Sequence, residues 1–136
     1  MICENAEAML KPHYTQQQWE VFITYYSLEE MTEKIKTQAI FCATWNNEIV
    51  GTIALTDDFV VGFYTHLSHL NKGIGSKLMK HLEEFALTRN LQEIQLAASP
   101  VGLRFYYKNG WEKIKDYILT YFGVGFEETL MVKKLR

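Results

Sequence analysis

Apolar residues recur along the chain with two different periods. Before residue 40 the period is helical: Trp19, Phe22, Ile23 and Tyr26 share a face. They follow Thr15-Gln16-Gln17-Gln18, where Thr15 is placed to cap a helix and Gln18 to reach back to it. A short helical stretch covers 6–10, and Ser27 with Glu30 opens a further one through Met31 and Ile35. From Ile40 the pattern changes to that of strands. Residues 40–45 and 48–55 read as two strands joined by Asn46-Asn47, a dipeptide that tolerates the positive φ of a tight hairpin. Asp57-Asp58 turns the chain into a third strand, 59–66, where Gly62 predicts a bulge or a close backbone approach. A helix then runs to about Arg89, with Leu78, Leu82, Phe85 and Ala86 on one face. It connects to a strand over 91–98, so those two strands are expected to be parallel. Pro100 opens a short helix through Asn109, with Gly110 at its C′ position. Strands 111–121 and 126–134 close the chain as a hairpin across Gly123-Val124-Gly125. The order ααβββαβαββ predicts an α/β domain spanning 1–136, with a mixed, mostly antiparallel sheet and flanking helices.

Composition narrows the function. The chain has 136 residues, 48% of them hydrophobic and only two of them proline, which excludes a disordered chain. A net charge of −2 argues against a nucleic-acid partner held through phosphates. No apolar run approaches the roughly 18–20 residues of a membrane span, and the amino terminus lacks signal-peptide features, so a cytoplasmic protein without a membrane partner is expected. Cys3 and Cys42 are too few for a disulfide framework, and Cys42 reads as a small buried hydrophobe. Neither they nor any serine has a base arranged beside it in sequence, which speaks against a covalent nucleophile.

The chemistry concentrates in Tyr64-Thr65-His66-Leu67-Ser68-His69-Leu70-Asn71-Lys72-Gly73-Ile74-Gly75-Ser76. A strand, a glycine-bearing loop and a helix start follow one another, which aims several N–H groups and the positive helix end at one point. Such a cradle suits a phosphate or pyrophosphate, although Gly-x-Gly alone also describes an ordinary turn. A Rossmann fingerprint would need a third glycine where Leu78 stands, and a Walker loop would need Lys where Ser76 stands. His66 and His69 lack further metal ligands at suitable spacing, so no metal is expected.

Taken together, Phe63-Tyr64-Thr65, the loop Asn71-Lys72-Gly73-Ile74-Gly75-Ser76, and Ser99-Pro100-Val101-Gly102-Leu103-Arg104-Phe105-Tyr106-Tyr107-Lys108-Asn109-Gly110-Trp111 resemble the GNAT superfamily of acetyl-CoA-dependent N-acetyltransferases. The resemblance covers about 40–136, and Tyr14-Thr15-Gln16-Gln17-Gln18 adds a weaker match. It implies transfer of acetyl from acetyl-CoA to a primary amine on a small molecule or peptide. By the same resemblance Phe63, Tyr64 and Thr65 line the acetyl and pantetheine arm, and the N–H groups of Asn71, Lys72, Gly73, Ile74, Gly75 and Ser76 hold the pyrophosphate. Ser99 contacts the cofactor arm, and Tyr106 serves as general acid toward the departing thiolate. A phenol with pKa about 10 facing a thiol of about 8.5 makes full proton transfer uphill by about 2 kcal/mol, so hydrogen-bond stabilisation of the sulfur is at least as reasonable.

Four features depart from the family pattern, among them Leu67 where a proline is common. Leu70 replaces the usual Arg or Gln, and no carboxylate stands near Val60-Val61. His66, Tyr64, Asp57, Asp58 or a water chain remain as bases, with water-mediated deprotonation the working expectation. The usual first strand is absent or vestigial, which leaves 40–45 as an apolar sheet edge that a homodimer or a helix would cover. The rival reading is a catalytically weak CoA-binding module of the same fold. The acceptor stays open among polyamine, aminoglycoside, amino acid and protein amino terminus. Trp19, Phe22, Tyr25 and Tyr26 read first as core aromatics; the family resemblance implies that the opening helices and the hairpin near Tyr121 and Phe122 border the acceptor groove, where these aromatics would attract an amine. Glu83-Glu84 and Lys133-Lys134 read as solvated faces.

Overall fold

Three helices precede the sheet: α1 (Ile2–Met9), α2 (Gln16–Tyr25) and α3 (Leu28–Thr37). The computed structural model describes residues 1–135. At α2 both arms of the capping box are formed. The Gln18 N–H donates to Thr15 Oγ1 at 3.1 Å, and the Thr15 N–H donates to Gln18 Oε1 at 2.9 Å. Ser27 caps α3, whose first turn carries Glu29 and Glu30 and whose last carries Lys34 and Lys36, matching the helix dipole. The stretch expected over 6–10 is longer than its apolar pattern suggests, because α1 starts at Ile2.

The sheet contains β1 (Ala39–Trp45), β2 (Glu48–Thr56), β3 (Phe59–Thr65), β4 (Glu93–Ala98), β5 (Glu112–Tyr121) and β6 (Val124–Lys134). Its spatial order is β1-β2-β3-β4-β6-β5, and no strand precedes α1 among the described residues. Every neighbouring pair is antiparallel except β3 and β4. Between those two runs α4 (Ile74–Thr88), and after β4 a 3-10 turn at Pro100–Gly102 leads into α5 (Leu103–Lys108). The one continuous helix expected from Pro100 is therefore two segments. Asn46 and Asn47 adopt φ of 50° and 66°, the left-handed pair that a two-residue hairpin needs. The closing hairpin differs from expectation in the same terms. Phe122 and Gly123 supply its positive φ values, 50° and 78°, so Val124 and Gly125 already belong to β6 and pair with Tyr121 and Thr120.

Successive residues of a strand face opposite sides of the sheet, and β3 shows this clearly. Phe63 packs on a large apolar cluster that includes Leu78, Met79, Leu82 and Ala86 of α4 together with Ile53, Ile94, Met131 and Trp111. Tyr64 packs on a second cluster, built from Ala6, Leu10, Trp19 and Phe22 of the opening helices. The sheet is thus sandwiched between α4 with α5 on one side and α1 with α2 on the other.

Several outer positions differ from the sequence reading. In β1, Phe41 and Ala43 turn inward, so Cys42 between them is exposed rather than buried. Phe41 lies under α4, with its ring 4.8 Å from His81 and 5.0 Å from Phe85, but the outer backbone edge of β1 has no ladder partner among the described residues. Glu83 and Lys133 are not two separate solvated faces, because they form a half-buried ion pair at 2.7 Å. No helix among the described residues is long and apolar enough to cross a membrane. Leu82 is completely buried beneath α4, so Leu82→Ala should destabilise the fold by about 2–5 kcal/mol, read as a lower midpoint in urea unfolding.

Candidate functional site

The site begins with a ladder that stops early. β3 and β4 pair through two rungs, Phe59 with Gln95 and Val60 with Leu96, and then diverge. Directly after them the β2–β3 register shifts, and Gly62 takes φ +59°. That conformation is open to glycine and strained for residues with a Cβ. The Gly62 carbonyl is held by the Thr52 hydroxyl at 2.8 Å, and the Thr65 carbonyl accepts from Asn5 Nδ2 of α1 at 2.6 Å. A cavity of about 290 Å³ fills the resulting gap. Its lining joins Phe63, Phe105 and Tyr106 from one face of the sheet to Phe22, Tyr26 and Tyr64 from the other. The cavity therefore passes between the strands and connects the two faces.

One end of the gap leads toward the glycine loop. Asn71 and Gly73 adopt φ of 61° and 79°, and Gly73 stands at the N-cap of α4 with no side chain to satisfy the first turn. Among the described residues, the N–H groups of Asn71, Lys72, Gly73, Ile74, Gly75 and Ser76 reach no protein acceptor; the first bond of the turn runs from Lys77 N–H to the Gly73 carbonyl at 3.1 Å. All but Ile74 are at least partly open to solvent. The cradle read from sequence is thus neither capped internally nor walled off. A Cβ on Gly75 would lie 3.3 Å from Phe63 and 3.8 Å from Phe105, so a bare helix start sits against two rings that line the cavity.

Tyr106 reaches the cavity because α5 presses it into a tight socket. A Cβ on Gly102 would meet its ring at 2.9 Å, and the rings of Phe63, Phe105 and Trp111 stand at 6.3, 5.6 and 5.9 Å. The Trp111 backbone N–H donates to the Tyr106 carbonyl at 3.0 Å, which ties the start of the following strand to α5. Burial, with the nearby Glu128 charge second, raises the Tyr106 phenol well above its ordinary range, so it stays protonated at neutral pH. Tyr107 points out to solvent. Ser99 lines the cavity at the end of β4, and its hydroxyl is not used to cap the turn that follows.

Glu128 is the functional candidate that sequence reasoning missed. The β4–β6 ladder ends where Ala98 pairs with Thr129, which puts Glu128 one position beyond the last rung, at the level of the gap. It lines the cavity, and its Oε2 is buried with no hydrogen-bond partner. Burial pushes its carboxyl up to about 7. A carboxylate that titrates there can take a proton near neutrality. Tyr14, raised to about 12 by burial and then by Glu128, and Tyr121, raised further by burial, line the same cavity.

The sequence matches the family model "Acetyltransferase (GNAT) domain" over residues 10–134. The chain belongs to the GNAT acetyltransferase family. No curated protein sequence matches it. Among solved structures it is similar to a GCN5-related N-acetyltransferase from Rhodopseudomonas palustris, with TM-score 0.89 and 21% identity over 98% of this chain and 84% of that one. It is also similar to the PaiA N-acetyltransferase from Thermoplasma acidophilum in complex with coenzyme A, with TM-score 0.80 and 21% identity over 98% and 87% of the two chains. A GNAT acetyltransferase from Elizabethkingia anophelis with acetyl-CoA bound gives TM-score 0.64 and 18% identity over 79% and 83%. At these identities the structures establish a shared fold, and the family match establishes an acetyltransferase domain.

Within this GNAT domain the predicted residues divide in two. Phe63, Tyr64, Ser99 and Tyr106 meet in the cavity, whereas the 71–76 loop lies outside it, next to Phe63 and Phe105. Thr65 is not a lining residue, and its carbonyl is already engaged by Asn5. Of the expected bases only Tyr64 lines the cavity, and burial raises it well above its ordinary range. His66 caps the next turn through Ser68, and Asp58 accepts from Gln95 Nε2 at 2.8 Å. Glu128 nonetheless puts a carboxylate inside the cavity, where the sequence reading expected none. The one cue in the sequence is that Glu128 alternates with Phe126 and Leu130, a charge in an inward register. Because its folded pKa is raised, Glu128 adds stability below its unfolded pKa near 4.5 that is lost as pH rises through about 7. Glu128→Gln should therefore be more stable than the native chain by about 3 kcal/mol at pH 8, with the gap closing by pH 4, as read from urea midpoints at both pH values.

Proposed function

We propose that this chain transfers acetyl from acetyl-CoA to a primary amine by direct attack. The observation that supports the reading is the cavity through the sheet, whose lining includes both a carboxylate, Glu128, and a phenol, Tyr106. The free N–H groups of Asn71 to Ser76 support binding of the pyrophosphate, with Phe63, Tyr64 and Ser99 along the arm. Glu128 takes one proton from the bound ammonium, which frees the nitrogen lone pair for attack, and the proton lost as the C–N bond forms passes to solvent. Tyr106 donates to the sulfur as the C–S bond breaks. Its raised pKa favours hydrogen-bond stabilisation over outright proton transfer. The alternative, a CoA-binding module without turnover, rests on Leu70 and on the missing central-strand carboxylate, and Glu128 weakens the second of these. The unpaired edge of β1 supports a homodimer, which light scattering tests: a monomer would count against it.

Two measurements check the enzymatic reading. CoA should raise the melting temperature of the chain, since it binds only the folded state. In an acetyl-CoA-dependent amine screen, kcat/KM should rise with pH through about 7. Glu128→Gln should lower it about a hundredfold or more and remove that inflection, and Tyr106→Phe should lower it about a hundredfold with KM for acetyl-CoA little changed. A thermal shift with no turnover of any amine would return the reading to the binding module.

A further inference from the structure

We propose that the acceptor is a small monocationic amine with an apolar, preferably aromatic, body and no acidic group. This rests on the acetyltransferase reading above and narrows it. The acceptor side of the cavity is walled by Tyr14, Phe22, Tyr25, Tyr26, Tyr121 and Phe126. These rings form a continuous surface: Tyr25 lies 4.9 Å from Tyr121, Tyr121 lies 5.6 Å from Phe126, and Phe126 lies 5.2 Å from Tyr14. Aromatic faces attract a cation and accept apolar groups.

Glu128 is the only charged side chain lining the cavity among the described residues, and no Lys, Arg or His lines it. Lys34 stands behind the wall, its Nζ 3.7 Å from the Tyr25 ring and donating to the Tyr25 carbonyl at 2.6 Å, and it faces a separate small cleft. An amino acid would therefore bring its carboxylate beside the buried Glu128 with no cation to neutralise either. Burying like charges together is strongly unfavourable. A polyamine fails for the opposite reason, because its second ammonium would find no carboxylate. The volume, about 290 Å³, is shared with the acyl arm and leaves room only for a small body. One ammonium therefore meets one carboxylate, whose unpartnered Oε2 can accept its hydrogen bond.

Calorimetric titration of the CoA-loaded chain with 2-phenylethylamine, phenylalanine and spermidine tests this. The first should bind at least tenfold more tightly than either of the others, and Glu128→Gln should weaken it about tenfold while keeping the CoA thermal shift. Phenylalanine or spermidine binding as tightly as 2-phenylethylamine overturns the proposal, as does CoA binding with no amine binding. Failure of CoA to shift the melting temperature strikes the acetyltransferase reading instead. The same order of affinities is then required of the unloaded chain.

Discussion

The parallel ladder between β3 and β4 has two rungs, and the rest of the site depends on its stopping there. A continued ladder would seal the sheet and separate the clusters on its two faces. Gly62, at φ +59°, lets β3 bulge away at that point. Leaving backbone carbonyls unpaired in the gap would cost about 1–3 kcal/mol for each buried group. Two side chains offset part of this: Thr52 holds the Gly62 carbonyl and Asn5 holds that of Thr65. Asn5 is one of very few buried polar residues, which ties the position of α1 to the opening of the sheet.

Burial acts on the two ends of the proposed reaction in opposite functional senses. It keeps Tyr106 protonated and ready to donate, and it lifts Glu128 to about 7, where it can accept. The two are also linked, because the Glu128 charge contributes to raising Tyr106. When Glu128 takes a proton, that contribution disappears and the phenol becomes a stronger donor. Proton gain on the acceptor side thus strengthens stabilisation of the leaving sulfur on the other, with no movement of the chain required.

Much of this was legible along the chain wherever a local rule dominates. The Thr15–Gln18 box, the Asn46-Asn47 turn, the apolar face of α4 and the break at Gly62 each follow from residues within a few positions of one another. The glycine loop and Tyr106 were legible through motif spacing. Glu128 was not, because Leu130, Met131 and Val132 are all at least partly buried on a strand covered on both faces. In such a strand alternation no longer separates inside from outside, and an acidic residue beside Glu127 reads as surface. Its position relative to the gap depends on the β4–β6 register, a contact between distant parts of the chain. Cys42 and the Glu83–Lys133 pair escaped for the same reason, since each depends on which neighbour the sheet brings alongside.

The aromatic wall has a second duty that constrains the first. Phe22 and Tyr26 belong both to the cavity and to the cluster through which α1 and α2 hold to the sheet. Gln18 reinforces the same attachment by donating from Nε2 to the Gly125 carbonyl at 2.9 Å. The opening helices are therefore a packed layer and not a detachable lid. Because that layer keeps water from Glu128, the interaction that stabilises the fold and the one that tunes the carboxylate are the same contacts. Loosening the wall to admit a larger acceptor would rehydrate Glu128, return its pKa toward that of an ordinary carboxylate and weaken it as a base.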